Sequence, residues 1–118
     1  MCGIAGVMDL KGRRPVDASL LESMRDSMNA RGPDECGSYR REGIGLAHRR
    51  LSIIDISTGQ QPLTTSNGTT TITFNGEIYN YREVRGELEG MGQVFRTNSD
   101  TEVILNAWVV WGLSLIHI

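Results

Sequence analysis

Cysteine is scarce: Cys2 and Cys36 are the only two in 118 residues. Two thiols do not make a disulfide scaffold, and their use favours a reducing, cytoplasmic setting. Histidine is as rare, with His48 and His117 alone. Without the paired short Cys and His spacings of zinc sites, no metal site is expected. An excess charge of one sign is missing too, since 12 Lys+Arg face 14 Asp+Glu for a net charge of -2. A basic nucleic-acid-binding surface is therefore not expected. No stretch approaches the roughly 18 consecutive apolar residues of a membrane span. No charged n-region with an apolar h-region opens the chain, so neither membrane insertion nor secretion is expected. Repeats, low-complexity tracts and Pro/Ser linkers are absent, and nothing marks a domain boundary.

What is present suits one small domain with a modest core: 39% of residues are hydrophobic. The 14 glycines predict turns or close backbone approaches. Gly3 to Leu10 is short and mostly apolar, as in a buried strand. Ser19 and Glu22 form a capping-box pattern, with Leu20, Leu21, Met24 and Met28 at helical spacing and Gly32-Pro33 as the expected stop. Gly37 to Arg41 and Ile44 to Arg49 predict strands joined by a tight turn at Glu42-Gly43. Leu51 to Ile56 is a further apolar run. Thr69 to Asn75 alternates after the turn Ser66-Asn67-Gly68. A helix is expected from about Tyr81 to Gly90, then a brief strand at Val94-Phe95. Ser99 and Glu102 form a second capping box, opening a helix with Val103, Ile104, Ala107, Trp108 and Trp111 inward. Strands beside amphipathic helices indicate a mixed α and β architecture.

Cys2 carries the most chemistry. Removal of Met1 is expected when the second residue is small, and it leaves Cys2 N-terminal. A free α-amine titrates near about 7.7–8.0, so it can serve as general base for its own side chain. A cysteine thiol needs only modest activation to react as the thiolate. By position alone, Cys2 also reads as a small buried residue at a strand start. Nothing near Cys36 in the sequence would activate it.

Six motifs then occur in order: Met1-Cys2-Gly3-Ile4-Ala5-Gly6, Arg31-Gly32-Pro33-Asp34, His48-Arg49-Arg50-Leu51-Ser52-Ile53-Ile54-Asp55, Gln61-Pro62-Leu63, Asn75-Gly76-Glu77-Ile78-Tyr79-Asn80 and Ser99-Asp100-Thr101-Glu102. Together they resemble the glutaminase domain of glutamine-hydrolysing asparagine synthetases, a class II glutamine amidotransferase among the N-terminal nucleophile hydrolases. The resemblance runs from Met1 to about Gly112. It implies an α+β fold, a four-layer αββα sandwich with the nucleophile at the end of an inner strand. It also implies hydrolysis of L-glutamine to glutamate and ammonia, with no cofactor in this domain. A C-terminal synthetase domain in cis would use ATP and Mg2+ to convert aspartate to asparagine, and the full-length protein would be a homodimer.

By this resemblance Cys2 is the nucleophile, and the Asn75 side chain with the Gly76 N–H forms an oxyanion hole. Arg50 grips the substrate α-carboxylate, ideally in a bidentate fork. Asp100 binds the substrate ammonium, and Glu77 contacts it or orders the Asn75-Gly76 turn. The backbone of Leu51, Ser52, Ile53 and Ile54 lines the glutamine pocket. Local readings coexist with these. Asn-Gly is a strong type I′ hairpin signal, Arg50 suits a solvated strand edge, and Asp100 suits a helix first turn.

Two departures stand out. Ala30 occupies a position where relatives usually carry histidine. The apolar end, Leu113 to Ile118, does not look like the expected continuation. Residues 1–112 are thus expected to be a partial glutaminase domain and 113–118 a non-native or truncated tail. Two alternatives are a glutaminase domain serving another acceptor, as in exopolysaccharide gene clusters, and a truncated, non-catalytic fragment.

Overall fold

The computed structural model describes residues 1–52 and 59–115. They form an α+β structure in two units, Met1–Pro62 with Thr73–Asn75, and Leu63–Ile72 with Gly76–Ile118.

The first unit is built on a three-stranded antiparallel sheet of β1 (Gly3–Met8), β2 (Glu35–Arg41) and β3 (Ile44–Arg50), in the order β1-β3-β2. Gly43, at φ 72, makes the tight turn between β2 and β3 that the Glu42-Gly43 pair predicts. The register aligns Gly3 with Arg49 and Arg49 with Cys36, and aligns Ile4 with His48 and His48 with Gly37. Side chains alternate across a strand, so the sheet has two distinct faces. One carries Ala5, Val7 and Ala47, which pack with Val16 and Leu21 beneath α1 (Ala18–Ser27). Arg49, on that face, pairs with Asp26 of α1 at 2.7 Å. The other face carries Glu35, His48 and Arg50.

The boundaries of α1 differ from expectation. Its N-cap is Asp17, whose carboxylate accepts from the Ser19 amide at 2.9 Å, so Ser19 is already inside the helix. An ionised carboxylate is a strong acceptor for first-turn amides, and it displaces the serine from the cap. The helix ends at Ser27, before Gly32-Pro33, with the Met28 N–H turned back to the carbonyls of Arg25 and Asp26.

The second unit pairs β4 (Leu63–Thr64) with β5 (Thr71–Ile72) around the expected turn, where Gly68 has φ 71. Of the expected strand Thr69 to Asn75, only Thr71–Ile72 is strand. Two helices follow, α2 (Tyr81–Gly90) and α3 (Asp100–Trp111), then a 3-10 turn over Gly112–Leu115. Leu88, Val103 and Ala107 form the core, with Tyr81, Val84, Phe95 and Trp111 packed against them. Trp108 is 39% exposed instead of inward. It lies one residue past Ala107, about 100° around the helix, and so misses the Val103–Ala107–Trp111 stripe. Gly112, at φ 55, caps α3. No helix among the described residues is long and apolar enough to cross a membrane.

Val94-Phe95 is not a strand. The Phe95 ring joins the core under the Arg85 guanidinium, 4.4 Å from its centroid. The next two amides are already committed: the Glu102 carboxylate accepts from Arg96 N at 2.9 Å and from Thr97 N at 2.6 Å. Ser99 caps α3 as expected, accepting from the Glu102 N–H at 3.3 Å. The Glu102 side chain does not complete the box. It is 2% exposed and organises the preceding loop, taking the Thr97 hydroxyl as well at 2.6 Å. Glu102→Ala should therefore cost about 1–3 kcal/mol, because it leaves two partly buried amides and the Thr97 hydroxyl without their acceptor. Chemical denaturation checks this, and a loss below about 0.5 kcal/mol, typical of surface changes, would refute the role.

Candidate functional site

The Cys2 end of β1 and the Arg50 end of β3 lie together. Cys2 immediately precedes β1 and is a half-buried free thiol. Carried one residue beyond Gly3 and Arg49, the antiparallel register sets Cys2 against Arg50. Asn75 arrives from 73 residues away and donates its Nδ2 to the Cys2 carbonyl at 3.0 Å. Arg31 Nε donates to the same oxygen at 3.4 Å. The expected nucleophile thus has the expected side-chain oxyanion donor beside its backbone. No hairpin forms at Asn75-Gly76, because the next element is α2.

Arg50 is held on the face away from α1. Its Nη1 donates to Glu35 Oε2 at 3.1 Å, and its side chain is only 14% exposed. The Gly59 backbone approaches so closely that a Cβ there would lie 2.6 Å from Arg50 Nη2. Arg50 lines a cavity of about 340 Å³ together with Glu35, Gly37, His48, Gln61 and Pro62, among others. Gln61 braces the segment that carries Asn75, its Oε1 accepting from Phe74 N at 2.6 Å. The solvated strand-edge reading of Arg50 is thereby corrected: Glu35 and Gly59 enclose a charge that local sequence would leave in water.

His48 is 1% exposed. Its Nδ1 shares a hydrogen bond with Thr73 Oγ1 at 3.1 Å, while its buried Nε2 has no partner among the described residues. Burial, and then the positive charge of Arg50, push the imidazole below its ordinary 6.5, with Glu35 opposing. The sign follows from linkage: the unfolded chain takes up the proton first. This contribution to stability is present above pH 6.5 and is lost as pH falls from there toward the lower folded value.

Leu51 and Ser52 are fixed from the side. Asp34 N donates to the Arg50 carbonyl at 3.1 Å, and Asp34 Oδ2 accepts from Ser52 N at 2.7 Å. The expected pocket residues Ile53 and Ile54 lie outside the described residues, as does the rest of the Leu51 to Ile56 run beyond Ser52. Gly76, Glu77 and Asp100 belong to the second unit. There Asp100 opens α3 and its Oδ2 accepts from Ile78 N at 3.0 Å, which ties this acid to the strand of chain bearing Gly76 and Glu77.

Sequence reasoning assigned no role to Asp34, Glu35, His48 or Gln61. Asp34, His48 and Gln61 sit inside motifs that carry the resemblance, which was the available signal. Glu35 had none beyond its neighbour Asp34.

Comparison with known proteins bears on the whole chain. The family described as "Glutamine amidotransferase domain" matches residues 1–118. Over 110 residues the chain is 46% identical to asparagine synthetase [glutamine-hydrolyzing] 1 of Bacillus subtilis, covering 89% of this chain and 17% of that protein. It is 37% identical over 113 residues to asparagine synthetase [glutamine-hydrolyzing] 3 of the same organism, covering 94% and 18%. It is 42% identical over 105 residues to asparagine synthetase B [glutamine-hydrolyzing] of Escherichia coli, covering 89% and 19%. The chain thus spans less than a fifth of the length of these three relatives.

Proposed function

The chain belongs to the glutamine amidotransferase domain family, and from that premise we propose that it releases ammonia from L-glutamine with Cys2 as nucleophile. The observation that carries the reading is the Asn75 Nδ2 to Cys2 carbonyl hydrogen bond, which brings together two expected catalytic residues 73 positions apart.

Once Met1 is removed, the Cys2 α-amine takes the thiol proton. The Sγ thiolate attacks the substrate side-chain carbonyl, and the Asn75 amide and Gly76 N–H receive the oxyanion. The C–N bond breaks as the ammonium returns its proton to the leaving nitrogen. This yields ammonia and a γ-glutamyl thioester. Water, deprotonated by the same amine, attacks the thioester and restores the thiol with release of glutamate. Arg50 binds the substrate α-carboxylate, Asp100 and Glu77 its ammonium, and the Leu51 to Ile54 backbone flanks the side chain. In the full-length protein, this proposal sends the ammonia to a synthetase domain in cis, where ATP and Mg2+ serve conversion of aspartate to asparagine. A cytoplasmic homodimer and the four-layer αββα sandwich complete the proposal.

The test is an ammonia-release assay with acid quenching and intact mass. Loss of Met1 and a γ-glutamyl adduct on Cys2 are the expected results. A protein that binds glutamine yet never forms the adduct would overturn the mechanism. Asn75→Ala should lower kcat by about 10²–10³-fold with a smaller effect on KM, since the oxyanion exists only after attack. An unchanged kcat would remove Asn75 from the oxyanion hole.

A further inference from the structure

Three consecutive residues of the first unit, Thr73, Phe74 and Asn75, are each tied to its earlier part by a separate hydrogen bond. Thr73 Oγ1 and His48 Nδ1 share one at 3.1 Å, Phe74 N donates to Gln61 Oε1 at 2.6 Å, and Asn75 Nδ2 donates to the Cys2 carbonyl at 3.0 Å. The third bond reaches the proposed nucleophile, and the other two hold the segment that carries Asn75. His48 is the unusual partner. Its residue is 1% exposed, yet its Nε2 is buried without a partner among the described residues. An unpaired buried nitrogen costs free energy, and an apolar ring of similar size would avoid that cost. An apolar ring could not, however, bond Thr73. We propose that His48 is a positioning residue, which through Thr73 holds segment 73–75 so that the Asn75 amide stands at Cys2 before the oxyanion forms. The inference rests on the glutaminase reading above.

The two ends of this arrangement differ in rigidity. His48 sits on β3, the central strand, with Ile4 of β1 on one side and Gly37 of β2 on the other. Its place is therefore fixed by ladders on both edges. Asn75 is exposed and belongs to no helix or strand, so no ladder of its own fixes it. Ordering each such residue costs about 1–2 kcal/mol of backbone entropy, which ties along the segment must offset. An oxyanion donor works only if it is in place before the charge develops. A displacement of about 1 Å can cost about 10²-fold in rate. Releasing Thr73 leaves the Phe74 and Asn75 bonds to hold the segment alone, and the productive pose is populated less. The loss should fall on kcat and spare KM, because the Asn75 amide meets a charge that the bound glutamine does not yet carry.

The primary test changes Thr73, which does not line the Arg50 cavity as His48 does. Thr73→Val keeps the shape and removes the hydroxyl. It should lower kcat about tenfold, the effect of one lost hydrogen bond, with KM for L-glutamine within about twofold. Thr73→Ser keeps the hydroxyl and should retain kcat within about twofold. The decisive comparison is made in Asn75→Ala protein. With the positioned amide gone, Thr73→Val should lower kcat no further, and His48→Phe should add nothing to Thr73→Val. An unchanged kcat in Thr73→Val, an equal loss in Thr73→Ser, or a loss that persists in the Asn75→Ala background overturns the inference. A second readout needs no turnover. The Asn75 side-chain amide resonances, assigned by their absence in Asn75→Ala, should move toward those of a solvated asparagine in Thr73→Val and stay in place in Thr73→Ser. Unmoved resonances in Thr73→Val overturn the inference. If they move but the parent protein releases no ammonia, the glutaminase reading falls and the hold of His48 on the segment stands. If ammonia is released and neither kcat nor the resonances respond, the glutaminase reading stands and the positioning role falls.

Discussion

Cys2→Ala is expected to abolish ammonia release, a loss of at least about 10⁴-fold in kcat/KM, because the proposed thioester forms on the Cys2 Sγ. The substitution is clean. Asn75 and Arg31 bind the Cys2 backbone carbonyl, not the thiol, so both hydrogen bonds survive. Loss of activity with unchanged circular dichroism and unchanged glutamine binding therefore reports chemistry, not folding. A companion protein with a residue block ahead of Cys2 separates thiol from amine. Its thiol is intact, but its Cys2 nitrogen is a peptide amide and has no basicity. Loss of the general base should cost about 10²–10⁴-fold. Full activity in the blocked protein would show that the amine is not the base. Residual turnover in Cys2→Ala at the parent rate would remove the nucleophile itself.

Legibility in the sequence followed the range of the interactions. The boundaries of α2 are those that the spacing of Tyr81, Val84 and Leu88 predicts, because helical periodicity is local. Ser99 caps α3 for the same reason. The β2 to β3 turn was legible through one Glu-Gly pair. Asn75-Gly76 shows the limit of local reasoning: the pair that best signals a hairpin instead leads toward α2, and the Asn75 side chain is claimed by Cys2 from the far end of the chain. Val94-Phe95 fails likewise: the Phe95 ring packs against the core of the second unit, and the buried Glu102 carboxylate takes the amides of Arg96 and Thr97 that follow. The site was half legible. Cys2, Arg50 and Asn75 could be named from motifs, yet the pairing of Arg50 with Glu35 and the orphan nitrogen of His48 arise from cross-strand registry. No periodic pattern encodes registry between separate strands.

Gly32 joins both themes, and Gly32→Ala should be strongly damaging to the first unit. The sequence presents Gly32 as a helix stop, but α1 has already ended at Ser27. The glycine is buried, and a Cβ on it would lie 2.5 Å from both the Arg49 carbonyl carbon and the Arg50 nitrogen. Those atoms are the backbone of β3 and cannot rotate aside as a side-chain tip would. The segment after Gly32 must then move away from β3, which strains the Asp34 hydrogen bonds to the Arg50 carbonyl and the Ser52 amide. Overpacking of this kind costs about 1–3 kcal/mol, and more where neither backbone yields. Displacing Arg50 should also raise KM for L-glutamine. Gly86→Ala in α2 is the matched control, because a Cβ there meets nothing within 4 Å. Filling a helical glycine should stabilise by about 0.4–1 kcal/mol. Urea midpoints of the two variants should therefore move in opposite directions. If Gly32→Ala matches Gly86→Ala in midpoint and in KM, the close approach of Gly32 to β3 does not position Arg50.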